Sequence, residues 1–305
     1  MFVEEYLVEL RRARYRPSAW LVYVRRAVRL SRDHALTRRP ALRSLGVTAL
    51  AGFLLLLSAA VLLALQIDTG LARTFLLATG LVLVAGVGWI AAHLPLLRGE
   101  DGQPLRRINL ANLLTLARLV SIPAFVVFGL AGQPRLALLA YGAGALTDVA
   151  DGLVARLAHQ RTALGRVFDP VVDILFNVSV FAALFRQGLL PGWVMALVLT
   201  RYSLLLLGGA ALYLFRGPLQ IQPTVLGKTT GVITTLLLLA VTVGALGLLG
   251  PAYARVAPLL SLSLGFVEAV TIPQVFLIGW LNVRRIGAAG VAPPLKLVSR
   301  ERSSG

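Results

Sequence analysis

The sequence predicts an all-α integral membrane protein. Hydrophobic residues make up 57% of the 305 residues and charged residues only 14%, and the mean hydropathy is strongly positive. This composition is typical of a chain whose surface faces lipid rather than water. The apolar residues are also collected into segments of about 20 residues, the length that an α-helix needs to cross a bilayer.

Eight such segments can be distinguished, and they fall into two groups. The first two carry no charged residue and are joined across Asp68–Arg73, so they are predicted to form an accessory transmembrane hairpin. The other six contain isolated charged residues and are predicted to form the functional core. In chain order the segments are Leu45–Ile67, Thr74–Leu97, Ala111–Gly132, Leu136–Leu157, Val167–Phe185, Leu189–Phe215, Thr229–Leu249 and Val256–Val283.

The predicted organisation follows from this division. A linker that contains Gly99, Gly102 and Pro104 separates the hairpin from the core. The N-terminal segment mixes arginines with aromatic residues, which is typical of an amphipathic helix at a membrane surface; a solvated basic tail explains it equally well. The five predicted parts are a basic N-terminal segment (1–44), the hairpin (45–97), the linker (98–110), the six-helix core (111–285) and a flexible tail (286–305).

The charge of the chain favours a membrane partner. The formal net charge is +17, and in a membrane protein the anionic lipid surface is a better partner for it than nucleic acid. An even number of spans places both termini on one side, and the basic residues concentrate on that side. The positive-inside rule therefore predicts a protein of the inner or plasma membrane with both termini cytoplasmic and the loop Arg156–Gly165 at the cytoplasmic face. The chain has no cysteine, which excludes thiolate ligands and cysteine nucleophiles.

The most informative pattern is a run of acidic residues inside apolar sequence. Asp148 and Asp151 are three residues apart, and Asp169 and Asp173 are four apart, so each pair lies on one face of a helix. The short turn between the helices is predicted to bring the two pairs together. Carboxylates are costly in a membrane and mark a functional site. Four that converge are typical of a site for one or two Mg²⁺ or Mn²⁺ ions.

Residues close to the carboxylates suit phosphate chemistry. Gly152 and Gly165 allow a ligand or a backbone to approach closely, and Arg156 and Thr162 can bind a phosphate or a polar head group. The alternative is that the carboxylates are paired with arginines and only hold helices together. Glycines at fixed offsets make that the less favoured interpretation of the whole set.

The pattern resembles the signature of the CDP-alcohol phosphotransferases, also called CDP-alcohol phosphatidyltransferases, of class I. A second block, Asn112-x2-Thr115-x2-Arg118 followed by Pro123, is similar to the opening segment of that family. The resemblance covers roughly residues 105–285. All eight fixed positions of the signature are filled, by Asp148, Asp151, Gly152, Ala155, Arg156, Gly165, Asp169 and Asp173.

The resemblance implies a six-helix catalytic core, a homodimer, and transfer of a phosphatidyl group from CDP-diacylglycerol to an alcohol with release of CMP. It implies that Asp148, Asp151, Asp169 and Asp173 hold two Mg²⁺ or Mn²⁺ ions and that Asp173 is also the general base. The residues implied to contact the CDP-linked donor are Asn112, Thr115, Gly152, Arg156, Thr162 and Gly165.

Cations in the core bear on the acceptor alcohol. Arg118, Arg201 and Lys228 would suit an acceptor that carries its own phosphate, which favours glycerol 3-phosphate; phosphatidylglycerol, inositol phosphate and serine remain alternatives. The segments around Arg201 and Lys228 are similar to the phosphatidylglycerophosphate and cardiolipin synthase branch. For Arg201 the alternative role is a salt bridge to a signature aspartate or to Glu268, and for Lys228 it is topological anchoring. A membrane transporter or a scaffold is the competing function outside the enzymes.

Overall fold

The protein is a bundle of membrane-spanning helices. The computed structural model describes residues 9–99, 101–157, 161–215, 225–245 and 250–288, and within these ranges it contains helices and no strand. Eight of the described helical segments are long and apolar enough to cross a membrane. The predicted all-α membrane fold and its number of spans are therefore confirmed.

The observed helices overlap all the predicted spans and differ from them at their ends. The sixth span is built from three consecutive pieces, because a π-helical turn at Leu204–Gly208 separates α7 from α8. The helices are α1 (Pro17–Thr37), α2 (Arg39–Gln66), α3 (Thr69–Ala92), α4 (Leu110–Leu130), α5 (Pro134–Leu157), α6 (Gly165–Arg186), α7 (Gly192–Ser203), α8 (Gly209–Phe215), α9 (Val225–Ala245) and α10 (Ala252–Ala288), with a 3₁₀ turn at Leu94–Leu96.

The turn of the α2–α3 hairpin is shorter than the sequence indicated. Helix α3 begins at Thr69, so Arg73 lies inside the helix and not in the connection. Asp68 is the N-cap, and its carboxylate accepts a hydrogen bond from the Leu71 backbone N–H at 2.6 Å. An aspartate at this position satisfies one of the free donors of the first turn, which is why the helix starts before the apolar run does.

The hairpin shares its hydrophobic core with the six-helix bundle. Helix α3 packs against α4, and Phe75 stacks on Phe128 with ring centroids 5.3 Å apart. Further along α3, Trp89 stacks on Phe168 of α6 at 4.7 Å. Helix α2 lies outside α3 and leaves most of its apolar side chains exposed, as expected for a helix that faces lipid.

The linker between the hairpin and the bundle is an ordered turn. Gly102 has φ +75°, a left-handed conformation that favours glycine, and the Gly99 N–H donates to the Gln103 carbonyl at 3.0 Å. The Ala163 N–H donates to the Arg98 carbonyl at 3.2 Å. The linker therefore fixes the loop that precedes α6.

The N-terminal segment is docked on the bundle. Arg11 Nε and the Tyr15 hydroxyl both donate to the Leu214 carbonyl, at 2.7 and 2.8 Å, and the Tyr15 ring meets Phe215 edge-on. A free basic tail does not explain these contacts, and α1 is helical as an amphipathic interfacial helix would be. Residues 1–8 lie outside the described residues. Helix α10 continues to residue 288, and the rest of the predicted flexible tail is likewise outside them.

Candidate functional site

The site begins with one face of α4. The Asn109 side chain caps this helix by accepting a hydrogen bond from the Asn112 backbone N–H at 3.1 Å. The cap sets the start of the helix, and residues three apart along it share a face. Asn112, Thr115 and Arg118 occupy that face, and their exposed fractions are 1%, 0% and 1%. These three polar side chains are therefore buried in the interior of the bundle.

The acidic pairs lie on the two helices that flank α4. Asp148 and Asp151 are in the last turns of α5, and Asp169 and Asp173 are in the first turns of α6. Helix α4 packs closely on both of these helices. The sequence predicted that the turn alone brings the two acidic pairs together, but side chains of α4 lie between them and link them.

Arg118 provides most of that link. Its Nη2 atom is 3.0 Å from Asp148 Oδ1, and its guanidinium also forms ion pairs with Asp151 and Asp173. A single guanidinium thus contacts carboxylates on both α5 and α6. Its Nε atom is buried and has no hydrogen-bond partner among the residues that the structure describes.

Thr115 reaches the remaining carboxylate. Its hydroxyl lies 2.9 Å from Asp169 Oδ1 and 3.4 Å from Asp151 Oδ2, and it is also 3.1 Å from the Ala111 carbonyl. Since a hydroxyl carries one proton, it donates to one of these acceptors at a time. Thr115 and Arg118 together therefore tie all four signature aspartates to α4.

A second set of contacts lies at the loop end of the cluster. The Thr162 hydroxyl accepts a hydrogen bond from the Gly165 backbone N–H at 2.9 Å and lies 3.3 Å from Asn112 Nδ2. A Cβ at Gly165 would be 3.2 Å from both Asn112 Oδ1 and Asp169 Oδ2. The structure thus brings Asn112, Thr162 and Gly165 together, and the close neighbours of Gly165 are the side chains of Asn112, Asp169 and Thr162. Gly152 is half-buried in α5; Arg156 lies in the last turns of α5, and its side chain is outside what the structure describes.

The carboxylates are open on one side. The side chains of Asp148 and Asp173 are 56% and 44% exposed, whereas that of Asp151 is 12% exposed. The arginine and threonine contacts therefore cover the inner side of the cluster, and Asp148 and Asp173 remain accessible to a ligand.

The donor set suits a divalent metal, although the carboxylates converge on Arg118. Among the described residues, no three acidic or histidine side chains lie close enough together to hold one metal ion in their present positions. The available donors are carboxylate and hydroxyl oxygens, which are the ligands that Mg²⁺ and Mn²⁺ prefer. Four carboxylates against one guanidinium also leave negative charge to be compensated. The residues therefore fit such an ion if Arg118 gives up some of its contacts.

The three cations predicted for the acceptor are not brought together. Arg118 lies among the aspartates, and Lys228 is exposed near the start of α9. Arg201 forms a salt bridge at 2.8 Å with Glu268, whose side chain is fully buried. Thr234 Oγ1 lies 3.4 Å from the other oxygen of Glu268, so the alternative role of Arg201 as a salt-bridge partner of Glu268 is present.

An aromatic ring adjoins this second polar cluster. The Arg201 guanidinium lies over the Tyr202 ring, 5.1 Å from its centroid, and the π-helical turn begins two residues further along the chain. Sequence reasoning missed Tyr202 and Thr234. An aromatic residue and a threonine within apolar spans carry no spacing signal, so only the tertiary structure places them beside Glu268.

A family model matches the part of the chain that contains the acidic cluster. The model of the CDP-alcohol phosphatidyltransferases matches residues 108–268, a little over half of the chain. The chain belongs to this family. Its members use a CDP-alcohol and an alcohol acceptor and are generally dependent on a divalent metal, and the matched range contains every signature residue.

The curated relatives come from two neighbouring activities. A Mycobacterium tuberculosis protein whose name groups it with the cardiolipin synthases is 36% identical over 126 residues, which is 40% of this chain and 59% of that protein. The cardiolipin synthase (CMP-forming) of Streptomyces coelicolor is 33% identical over 107 residues, or 33% of this chain and 50% of that one. The Aquifex aeolicus protein named CDP-diacylglycerol–glycerol-3-phosphate 3-phosphatidyltransferase is 31% identical over 136 residues, or 44% of this chain and 75% of its own.

These matches are partial. The chain spans 59% of the length of the mycobacterial relative and 50% of the length of the one from Streptomyces. No solved structure matches the chain at a comparable level.

Proposed function

We propose that this protein transfers a phosphatidyl group from CDP-diacylglycerol to an alcohol at the cytoplasmic face of the membrane and releases CMP. The observation that carries the proposal is the complete signature: its four aspartates lie on α5 and α6 and are tied to buried polar residues of α4. A transporter would not need the close packing at Gly165 or the polar side chains of Asn112 and Thr162 beside it. A scaffold would not need four carboxylates gathered around one arginine and one threonine.

The proposed phosphatidyl transfer forms one bond to phosphorus, breaks another and moves one proton. The acceptor hydroxyl oxygen bonds to the phosphorus that carries the diacylglycerol, the bond from that phosphorus to the CMP oxygen breaks, and the hydroxyl proton passes to a base. Asp173 is the proposed base, because its side chain is 44% exposed and can reach a ligand. A divalent metal held by Asp148, Asp151, Asp169 and Asp173 would neutralise the diphosphate and the departing CMP.

The donor side of the site is proposed at the loop end of the cluster. Asn112, Thr115 and Thr162 supply amide and hydroxyl groups on this side, and Gly165 lets the side chains of Asn112 and Thr162 lie close to the start of α6. Gly152 and Arg156 complete this side in the proposal. The basic loops at this end of the bundle favour the cytoplasm, where a water-soluble nucleotide can leave, while the lipid chains remain in the bilayer.

The acceptor proposed first is glycerol 3-phosphate. The Aquifex relative, 75% of which the chain covers, is named for this acceptor. Arg201, which pairs with Glu268, is the proposed contact for its phosphate. Phosphatidylglycerol is the second candidate, because the Streptomyces relative is named a CMP-forming cardiolipin synthase. Inositol phosphate and serine follow. A homodimer within the lipid membrane remains part of the proposal.

The test is CMP release by the purified protein in lipid nanodiscs. CDP-diacylglycerol would be supplied with Mg²⁺ or Mn²⁺, and glycerol 3-phosphate, phosphatidylglycerol, inositol phosphate and serine would be added one at a time. We expect release with glycerol 3-phosphate and its loss when a chelator removes the metal. Release with phosphatidylglycerol alone would move the protein to the cardiolipin synthases. No release with any acceptor would contradict the proposed enzyme.

A further inference from the structure

Arg118 is a buried cation that faces an excess of negative charge. It is 1% exposed and forms ion pairs with three aspartates on two different helices. The fourth, Asp169, is reached through Thr115. Charges withdrawn from water are stable only when nearby opposite charges compensate them, and one guanidinium does not balance four carboxylates.

We propose that Arg118 is the internal counter-ion of the carboxylate cluster and competes with the divalent metal for the same carboxylates. This inference rests on the proposed assignment of the four aspartates as metal ligands. The guanidinium contacts one oxygen each of Asp148, Asp151 and Asp173. A metal at ordinary ligand distances of about 2.0–2.6 Å would be held by oxygens of the same residues. Two positive groups would then share three carboxylates and repel each other, so the metal binds more tightly when Arg118 releases some of them.

The hydrogen bonds of Arg118 are incomplete among the described residues. A buried N–H without a partner carries a free-energy cost, and the Nε of Arg118 is such a group. The carboxylates, and not a complete set of hydrogen bonds, therefore set the position of the guanidinium. When a metal takes the place of the guanidinium at the carboxylates, the N–H groups of Arg118 can donate to another acceptor. No hydrogen bond of Nε is lost in this change, because Nε makes none in the described structure. Arg118 thus acts as a positioning residue that holds α5 and α6 around the site until the ion binds.

The chain supplies a matched control for this role. Arg201 is also mostly buried, also has an unpaired Nε, and also pairs with a carboxylate. Its partner Glu268 lies outside the signature, so a loss of charge at Arg201 leaves the contacts of Arg118 with the aspartates in place. Separate substitutions of Arg118 and Arg201 should thus have similar effects on stability. Only the substitution of Arg118 should change the affinity for the metal.

The experiment measures the affinity of the full chain for Mn²⁺ alone, in nanodiscs without substrate, by the loss of the free Mn²⁺ electron paramagnetic resonance signal. Wild type, Arg118→Gln, Arg118→Lys and Arg201→Gln would be compared, and the unfolding temperature of each would be measured with chelator and with Mn²⁺. Arg118→Gln should lower the Kd for Mn²⁺ by about tenfold. Arg118→Lys keeps the charge but contacts fewer carboxylates, so its Kd should lie between that of wild type and that of Arg118→Gln. Arg201→Gln should have the same Kd as wild type.

The unfolding temperatures provide a second readout. Arg118→Gln should unfold at a lower temperature than wild type in chelator, and Mn²⁺ should restore most of the difference, because the ion then supplies the missing charge. A purely structural arginine would give a loss that Mn²⁺ does not restore. If wild type binds Mn²⁺ while Arg118→Gln and Arg118→Lys bind it equally well or more weakly, the competition is overturned and the metal site stands. If none of the proteins binds Mn²⁺, the proposed metal site itself is wrong.

Discussion

Two buried arginines of this protein differ in what surrounds them. Arg118 contacts three signature aspartates, of which Asp148 and Asp173 are partly open to a ligand, whereas Arg201 contacts the single, fully buried Glu268. A buried charge is stable only with its partner, and removal of one partner leaves the other uncompensated. The two arginines are therefore expected to respond differently when their carboxylates are changed.

Asp173 is the residue for which the enzyme proposal makes its sharpest prediction. Asp173→Asn keeps the size of the side chain but removes the proton acceptor, so turnover should fall by about 100- to 10,000-fold. Binding of CDP-diacylglycerol should be retained to a large extent. Steady-state CMP release and equilibrium binding of the donor check the two parts separately. Asp101→Asn, in the exposed linker, is the matched control and should behave as wild type; equal loss of binding and turnover in Asp173→Asn would argue against a base.

Arg201 can be tested with its partner in a double-mutant cycle. Arg201→Ala leaves Glu268 buried without its charge partner, so the free energy of unfolding should fall by about 3–5 kcal/mol. Adding Glu268→Gln removes that charge and should recover much of the stability. If Arg201 binds the acceptor phosphate, the raised KM for glycerol 3-phosphate persists in the double variant. A KM that recovers together with stability would show that the salt bridge is its whole role.

At the scale of elements, α4 organises the site. Asn112, Thr115 and Arg118 share one face of this helix. Asn112 contacts the loop before α6, Thr115 contacts Asp169, and Arg118 contacts the remaining aspartates. The helical spacing of the acidic pairs was readable in the sequence, because residues three or four apart share a face. That a third helix lies between the pairs was not, because it depends on how α4 packs against α5 and α6.

The packing of α5 on its neighbours can be tested with a pair of glycines two residues apart. A Cβ at Gly144 would collide with the Phe176 ring and lie 2.6 Å from Ser121 Oγ, whereas a Cβ at Gly142 would meet nothing within 4 Å. Gly144→Ala should therefore lower the free energy of unfolding by about 1–3 kcal/mol. Gly142→Ala should leave it unchanged or raise it by up to about 1 kcal/mol, because alanine favours the helix.

Thermal unfolding of both variants in the same detergent measures this difference. Because Gly144 is one helical turn from Asp148, its substitution should also reduce CMP release. Equal stability of the two variants would show that α5 does not approach α6 as described.

For the whole molecule, the central question is its orientation in the membrane. The predicted topology places the linker before α4 in the cytoplasm and the connection between α6 and α7 on the opposite side. The chain has no cysteine, so single cysteines can be introduced without background. Gln103 lies in the linker and Gln187 follows α6, and both are exposed.

In intact cells, a membrane-impermeant maleimide should label Gln187→Cys and not Gln103→Cys. After permeabilisation both should be labelled. The reverse pattern in intact cells would place the acidic cluster on the outer face and contradict the cytoplasmic release of CMP.

The sequence by itself determined the membrane fold, the eight spans and the acidic signature. Each depends on composition or on spacing along a single helix, and the hydrophobic effect and helix geometry act on these locally. Only the tertiary structure decided that the hairpin shares a core with the bundle, that Arg118 lies among the aspartates and that Arg201 pairs with Glu268. Buried charges take whichever partners the packing of distant helices brings within reach, and these partners are 33, 55 and 67 residues apart in the chain.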